Sequence, residues 1–302
     1  MLIWNCQQEM SDSMNDDIKK YNFKSNTDLQ IEVVPLINLL ASNKKHLVTP
    51  HRTEFYHIFL FENCSPTHFV DFNPIKIQPN SLLFIDKERV HQFDQLTKYK
   101  GKVLIFTDNF FCTNTSDSKF LQSNILFNDL VDKPNIKIKE QFKTFLNICN
   151  LIDEELKSPR DSAKHNILKN HLHNFLLLAD REKRKQGFSE IKKGADLDYT
   201  LLFKDLLENN FTKIKSVSSY AEKIHVSEKR LNQATSKVLG KSPKKLIDGR
   251  ILLEAKRLLV HGSKSIKEIG FTLGFDEPTN FIKYFRKHNH KTPMEFREKY
   301  LL

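Results

Sequence analysis

The stretch 216–243, SVSSYAEKIHVSEKRLNQATSKVLGKSP, is followed by a similar stretch at 265–293, SIKEIGFTLGFDEPTNFIKYFRKHNHKTP, and this pair decides the architecture of the C-terminal third. The two align with an offset of 49 residues through their first halves and 50 through their second halves. Self-similarity of this kind indicates an internal duplication of one supersecondary unit. Matched positions include Ser216 with Ser265, Ala221 with Gly270, Ile224 with Leu273, Leu231 with Phe281 and Pro243 with Pro293.

Each copy has the pattern of two helices joined by a tight turn. The small residue Ala221 or Gly270 lies where the two helices of a unit must approach closely. Ser227 and Asp276 are the predicted N-caps of the second helices, whose first amide groups need acceptors. Asp198 is the predicted N-cap of a further helix that precedes the first copy. Pro278 falls in a first helical turn, where its missing N–H costs nothing. The sequence therefore predicts helix-turn-helix motifs at 216–239 and 265–288.

The second helix of each copy is predicted to have an apolar face and a polar face. Leu231, Ala234, Thr235 and Val238 point inward in the first copy; Phe281, Tyr284, Phe285 and His288 do so in the second. The outward side chains mix amides and hydroxyls with cations, which contacts to base edges and phosphates both require. The candidate DNA-binding residues are Lys229, Arg230, Asn232, Gln233, Ser236, Lys237, Thr279, Asn280, Ile282, Lys283, Arg286 and Lys287.

Two features around these helices bear on how they would meet a duplex. Ile282 either packs on a thymine methyl group or lies against a neighbouring helix. Between the copies, PKKLIDGRILLEAKRLLVHG (243–262) predicts a helix with a broad apolar stripe that stops at His261-Gly262. Such a helix would hold the two motifs about 34 Å apart, one duplex turn.

The distribution of charge agrees with a polyanion partner. Residues 1–190 carry 25 Lys and Arg against 24 Asp and Glu, whereas residues 191–302 carry 23 against 13. Nearly all of the net charge of +11 therefore lies in the C-terminal third. A basic module beside a neutral remainder is typical of nucleic-acid binding, although a solvated basic face would show the same excess.

The C-terminal region resembles the AraC/XylS family of bacterial regulators over about residues 197–300. The resemblance rests on AEKIHVSEKRLNQAT (221–235), GKSP (240–243), EAKRLL (254–259), IKEIGFTLGF (266–275) and FIKYFRKHNHKTPMEFR (281–297). It implies a transcription regulator whose second helices enter the major groove, with Lys229, Asn232, Gln233, Thr279, Asn280 and Lys283 as favoured contacts. His290 departs from the pattern, since the family usually has glycine there; we expect His290 in a left-handed conformation with modest strain.

The N-terminal part has a different pattern. Short β-rich runs such as EFYHIFLFEN and SLLFID alternate with turn signals and predict an antiparallel sandwich or small barrel. Beyond Pro134 the apolar period becomes helical, which predicts an αα-hairpin. The predicted fold is an α+β multidomain chain with these divisions: a flexible N-terminus (1–26), a cupin-like β-barrel (27–135), a helical hairpin (136–182), a linker (183–196) and an all-α DNA-binding domain (197–302).

TPHRTEFYHIFLFE (49–62) and IQPNSLLFIDKERVHQF (77–93) resemble the cupin-like sensing domain found in many members of the family. His51, His57 and His91 are the candidate ligand-binding residues, with Phe55, Phe84 and Phe93 among the expected cavity walls. Metal-binding cupins use a His-x-His pair, a Glu and a later His, a set that is incomplete here. We therefore expect no metal and no cofactor, and we expect the N-terminal domain either to bind a small-molecule effector or to control the protein through assembly.

The apolar stripes of the hairpin either cover the barrel or pair with a second copy, and a homodimer is favoured because paired half-sites multiply affinity. The expected partners are double-stranded promoter or operator DNA, a second copy, an effector and RNA polymerase, with no membrane. Four separated cysteines and the lack of an apolar leader predict reduced thiols and a cytoplasmic protein.

Two other functional hypotheses stay open at this stage. One is a cupin-type metalloenzyme with a DNA-binding tail, and the other is an architectural DNA binder that is indifferent to sequence. No catalytic triad, phosphate loop or acid–base pair stands out, so we predict no enzymatic reaction. Metal analysis would test the first hypothesis, and the existence of a preferred DNA site would test the second.

Overall fold

The computed structural model describes residues 18–23, 29–94, 99–127, 135–187 and 194–301. The chain divides into two compact units, and the described parts belong mainly to Lys19–Ser189 and Glu190–Leu302. Most of the predicted flexible N-terminus, 1–26, lies outside the described residues, as does the centre of the predicted linker, 188–193.

The strands of the first unit form two five-stranded sheets. In chain order they are β1 (Lys19–Tyr21), β2 (Ile31–Pro35), β3 (His51–Thr53), β4 (Tyr56–Phe61), β5 (Thr67–Val70), β6 (Asn73–Lys76), β7 (Ser81–Ile85), β8 (His91–Phe93), β9 (Gly101–Phe106) and β10 (Asn135–Lys137). One sheet has the order β1-β3-β8-β5-β6 and the other β10-β7-β4-β9-β2. Neighbouring strands are antiparallel except for the parallel pair β1 and β3, which the sequence pattern did not predict.

Helices accompany these sheets in the first unit. They are α1 (Leu36–Leu47), α2 (Asp108–Phe111), α3 (Thr115–Ser123), α4 (Phe142–Lys157) and α5 (Lys164–Lys185), with a 3₁₀ turn at Lys139–Gln141. The predicted hairpin is confirmed as α4 and α5, which pack against each other through rings such as Phe145 and Phe175. Helices α1 to α3 were not predicted, because the strand signals around them dominate the local pattern.

The central strands are buried on both faces, and this explains their almost continuous apolar sequences. All six residues of β4 are buried. Phe59 and Phe61 belong to the core between the two sheets. Ile58 and Leu60 belong to a second core, which includes Phe145 of α4 and Phe175 of α5. The sheet β10-β7-β4-β9-β2 is thus covered by the other sheet on one side and by the hairpin on the other.

The described part of the second unit is helical. Its elements are α6 (Ala195–Asn210), α7 (Val217–Lys223), α8 (Glu228–Leu239), α9 (Pro243–His261), α10 (Ile266–Thr272), α11 (Pro278–Asn289) and α12 (Pro293–Leu301). Helix α9 ends at His261 with Gly262 as its C-cap, as predicted. The predicted α+β class, with a sheet-rich unit, a helical hairpin and an all-α C-terminal region, is confirmed.

Two predicted N-caps are wrong. Helix α6 begins at Ala195 after Gly194, whose carbonyl accepts from the amides of Leu197 and Asp198, so Asp198 lies inside the first turn. Its carboxylate is favourable there because it faces the positive end of the helix dipole. Helix α11 begins at Pro278, and Glu277, not Asp276, is its N-cap. A residue before proline is restricted to extended backbone, which makes Glu277 the last non-helical residue.

Two observations bear on the predicted environment of the chain. Cys64, Cys112 and Cys149 carry free thiols, and burial raises the pKa of the Cys149 thiol to about 12. Among the described helices, none combines the length and apolar character needed to cross a bilayer.

The turn between α10 and α11 depends on a glycine. Gly274 has a φ of +73°, and a Cβ placed there would lie 1.8 Å from the carbonyl oxygen of Thr212. At the matched position of the first copy, His225 has a φ of +58°. Both turns therefore use a left-handed residue, and only the second also needs the space that glycine leaves.

We expect Gly274→Ala to lower the free energy of unfolding of the second unit by at least about 2 kcal/mol, through backbone strain and the clash with Thr212. Gly249→Ala is the matched control, because Gly249 lies inside α9 with open space around its Cα. That control should be neutral or stabilise by up to about 1 kcal/mol. Equal effects of the two substitutions in urea titrations would contradict the role assigned to Gly274.

Candidate nucleic-acid interface

The first helix-turn-helix motif is formed by α7 and α8. Ser216 caps α7 by accepting a hydrogen bond from the amide of Ser219, and Ser227 caps α8 by accepting from the amide of Arg230 at 3.1 Å. The predicted N-cap Ser227 is therefore confirmed. Leu231 and Ala234 of α8 are fully buried, and Leu231 packs in the core that also contains Ala221 of α7.

The second helix-turn-helix motif, formed by α10 and α11, repeats this construction. Ser265 and Glu268 form a capping box at the start of α10. Gly270 lets α11 approach closely, since a Cβ there would lie 3.2 Å from the Cβ of Phe281. His290 caps the end of α11 with a φ of +60°, and the matched Gly240 caps α8 with a φ of +64°. The left-handed conformation expected for His290 is confirmed.

The two faces of α8 divide as predicted. Thr235 is buried beside Leu231 and Ala234, and Val238 is half-buried. Five of the six candidate DNA-binding side chains on this helix are exposed. They are Lys229, Asn232, Gln233, Ser236 and Lys237.

Arg230, the sixth candidate, is held by helix α6. Its Nη1 lies 2.5 Å from Oδ1 of Asp196, and its guanidinium lies over the ring of Tyr199 at 5.0 Å. The side chain is only 34% exposed. Lys237 contacts the other oxygen of the same carboxylate, with 2.7 Å between Nζ and Oδ2. Two cations of α8 therefore share one acidic partner in the protein.

Helix α11 presents a comparable polar face. Phe281 and Phe285 are buried, and Tyr284 is half-buried and donates a hydrogen bond to Oδ1 of Asp248 at 2.9 Å. Ile282 is half-buried, so it is less exposed than the sequence pattern implied. The remaining candidates on α11 are exposed: Thr279, Asn280, Lys283, Arg286 and Lys287.

Helix α9 lies between the two helix-turn-helix motifs, and two of its arginines make charged contacts in addition to the packing of its apolar stripe. Arg250 stacks on Phe211, with 3.9 Å from its guanidinium carbon to the ring centroid, and contacts Glu208 and Glu254 at 2.7 and 3.0 Å. Arg257 is 2% exposed and lies 3.1 Å from the same Glu254. Arg250 therefore joins α9 to α6 through the ring of Phe211 and through Glu208, which is 53% exposed, whereas both pairs with Glu254 lie within α9.

A separate cluster of histidines lies in the first unit, between the two sheets. His51, His57 and His91 all belong to it; of the expected cavity walls, Phe93 lines the cavity, whereas Phe55 contacts the ring of His57 without lining it. The expected wall Phe84 does not line it, because β7 points Leu83 and Ile85 toward this core and Phe84 toward the hairpin. All three histidines are almost fully buried.

A fourth member, His68, was missed by the sequence analysis. Its Nε2 lies 3.2 Å from Nδ1 of His91. Strand β5 places it there because Val70 pairs with His91 and His68 pairs with Phe93. The only local signal was a histidine inside a β-rich run, and the register that joins it to β8 is a long-range property.

Burial keeps His57, His68 and His91 of this cluster uncharged. It lowers the pKa of His68 to about 3 and holds the pKa values of His57 and His91 well below 6.5, and the neighbouring His51 lowers all three further. The cavity lined by His51, His57 and His91 has a volume of about 10 Å³, room for one water molecule. Among the described residues, no group of three or more His, Cys, Asp or Glu side chains is arranged to hold a metal ion.

Comparison with known proteins identifies the second unit. A family described as "Helix-turn-helix domain" matches residues 220–299. The lactose operon transcription activator of Staphylococcus xylosus is 30% identical over 93 residues, which cover 31% of this chain and 33% of that protein. The HTH-type transcriptional activator RhaS of Salmonella dublin is 22% identical over 261 residues, which cover 82% of this chain and 87% of that protein.

Among solved structures, a transcriptional regulator with an AraC-type DNA-binding domain from Chromobacterium violaceum is similar to part of the chain. Its TM-score is 0.31 at 30% identity, and the match covers 34% of this chain and 91% of that one. With the family match, the paired motifs define a DNA-binding helix-turn-helix domain. The chain therefore carries an AraC-type helix-turn-helix domain and is a DNA-binding transcription regulator, in agreement with the resemblance of its sequence.

The buried histidines predict a pH-dependent stability of the first unit. Their pKa values are lowered by folding, so the unfolded chain binds more protons below pH 6.5 and the free energy of unfolding falls as the pH is lowered. For His68 this loss continues to about pH 3. Each such histidine contributes up to about 1.4 kcal/mol per pH unit inside its window.

The measurement is urea unfolding of the full chain at pH 7.5 and pH 5.5, followed by circular dichroism. His68→Gln should reduce the difference between the two pH values by up to about 1.4 kcal/mol per pH unit. His171→Gln, on α5 outside the cluster, should leave the difference unchanged. An unaltered pH dependence in the His68 variant would contradict the assignment.

Proposed function

We propose that this regulator recognises a specific DNA sequence by placing α8 and α11 in two successive major-groove segments on one face of a duplex. The observation that carries the proposal is the duplication itself: two similar helix pairs expose polar faces and share the central helix α9. That helix has 19 residues and a length of about 28 Å, close to one duplex turn. The stacking of its Arg250 on Phe211 and the ion pair of Arg250 with Glu208 of α6 support a rigid spacing.

We assign the exposed side chains to two roles. Amide and hydroxyl groups near the middle and start of the helices contact base edges, with Asn and Gln suited to adenine. The exposed cations near the helix ends contact phosphates, which position the protein without reading sequence, whereas Lys229 and Lys283 lie earlier in the helices, where a lysine can contact guanine. The base-contacting set is Lys229, Asn232, Gln233, Ser236, Thr279, Asn280, Ile282 and Lys283; the phosphate-contacting set is Lys237, Arg286 and Lys287.

Selection of binding sites from random DNA, using the full chain, tests this function directly. We expect a selected sequence bound at least about 1,000-fold more tightly than competitor DNA at physiological salt. An architectural binder would enrich no sequence. Enrichment of a site spanning only one groove segment would contradict the simultaneous use of α8 and α11.

The two residue roles predict different variant behaviour. Gln233→Ala should relax the base preference at one position and cost roughly 5- to 150-fold in affinity for the selected site, with little effect on competitor DNA. Lys287→Ala should weaken binding to all sequences and flatten the slope of log affinity against log salt by about 0.9. Lys119→Ala removes the same charge from α3 of the other unit and is the control. Indistinguishable behaviour of the first two variants would refute the division of roles.

For control of this activity we propose assembly of two copies through the hairpin. Leu151 of α4 and Leu177 of α5 are 45% and 49% exposed, and together they give the hairpin apolar side chains that a second copy could cover. The cavity among the histidines is too small for a sugar or an aromatic effector, which supports control through assembly over a ligand bound between the sheets. An effector that binds there would first have to open the core.

This proposal predicts that Leu177→Glu disrupts the dimer. A charge on a desolvated apolar contact is costly, so we expect the dissociation constant of the dimer to rise at least about 10-fold, measured by sedimentation equilibrium. Leu202→Glu is the matched control, since Leu202 is 53% exposed on α6. A monomeric wild-type chain, or equal effects of the two variants, would overturn assembly through the hairpin.

A further inference from the structure

The first turn of helix α6 carries an acidic residue that contacts α8, the DNA-facing helix of the first helix-turn-helix motif. Asp196 binds Arg230 through Oδ1 and Lys237 through Oδ2, at 2.5 and 2.7 Å. Hydrogen bonds from Lys237 and Arg230 hold the pKa of the Asp196 carboxyl below its usual value, so the group is ionised at neutral pH. The negative charge therefore lies directly beside two of the cations expected to meet DNA.

The two cations differ in how firmly they are held. Arg230 is 34% exposed and is fixed by both the carboxylate and the ring of Tyr199. Lys237 is 72% exposed and has no aromatic neighbour among the described residues. An exposed ion pair of this kind contributes little to stability and can exchange its partner. Lys237 is thus the cation that can leave Asp196 for a phosphate.

The second helix-turn-helix motif, α10 and α11, differs in this respect. Within the described chain, Lys283 and Lys287 of α11 form no ion pair with an acidic side chain. When a free lysine binds phosphate, the DNA releases a counterion, and this release drives association. When Lys237 binds phosphate, an ion pair inside the protein must first be broken, so part of that gain is lost.

We infer that Asp196 competes with DNA phosphate for Lys237 and thereby limits the affinity of α8 for DNA, while Arg230 is a positioning residue that keeps the carboxylate in place. The inference rests on the proposed function, since it assumes that α8 meets DNA. The two motifs are then electrostatically unequal. The lysines of α11 bind phosphate without breaking an ion pair, whereas Lys237 of α8 must first separate from Asp196.

The test compares Asp196→Asn with Asp198→Asn in the full chain. Asp198 lies two residues further along the same helix and is exposed, so its substitution removes the same charge without touching Lys237. Affinity for the selected DNA site is measured at several salt concentrations. Beyond any change in Asp198→Asn, we expect Asp196→Asn to bind about 3- to 10-fold more tightly at low salt, with a salt slope steeper by about 0.9.

A double variant connects the effect to Lys237. In the Lys237→Gln background, Asp196→Asn should give no gain over Asp198→Asn. Lys237→Gln alone should also change the salt slope less than Lys287→Gln, a comparison that keeps the inference testable even if the Asp196 variant unfolds. Thermal unfolding of each variant identifies such a loss of structure.

The outcomes separate this inference from the function on which it rests. If the wild-type chain bound no DNA sequence preferentially, the proposed function would fail, and the inference would fail with it. If the wild type bound its site and Asp196→Asn behaved like Asp198→Asn, only the inference would be overturned. Weaker binding by Asp196→Asn would also overturn it, because Asp196 would then be required to orient the cations.

Discussion

The close contact between the two helices of each helix-turn-helix motif is the constraint on which the C-terminal structure depends. In the second motif it is the approach of α11 to Gly270, where the Cβ of Phe281 lies 3.2 Å from the position that a glycine-replacing Cβ would take. In the first motif Ala221 and Leu231 pack within one core. Because the apolar side of the second helix is committed to this contact, its amides, hydroxyls and cations must face solvent, where a duplex can reach them.

The two motifs share this construction but differ in the charged residues around them. Tyr284 of α11 is tied to Asp248 of α9, which anchors the buried side of that helix and leaves its lysines exposed. Helix α8 is instead tied to α6 through Asp196, a contact to its charged side. The duplicated motif therefore places two helices of similar shape in one domain, and its neighbours give the helices different shares of free positive charge.

The first unit is built on a different physical basis. Its central strands are buried on both faces, so the apolar side chains of β4 serve two cores at once. Four of the described histidines are buried in the core between the sheets, and His57, His68 and His91 stay neutral because burial disfavours their charged forms. With a cavity of about 10 Å³ beside them, these rings occupy the space in which a ligand was expected. The exposed leucines of the hairpin, Leu151 and Leu177, are accessible to solvent, whereas the cavity among the histidines lies in the core.

The sequence alone determined the duplication, through the match between its two copies, and the two motifs and the Ser227 cap, through local spacing. The left-handed end at His290 followed from the resemblance to the AraC/XylS family. Asp198 and Asp276 were misplaced as caps by the same local reasoning, since Gly194 and Pro278 set the true helix starts. Only the tertiary structure decided that His68 joins His91 through strand register, that Phe84 faces the hairpin, and that Asp196 contacts Arg230 and Lys237. These contacts join residues 23 to 41 positions apart or opposite faces of one strand, and they arise from packing between elements, which no local pattern contains.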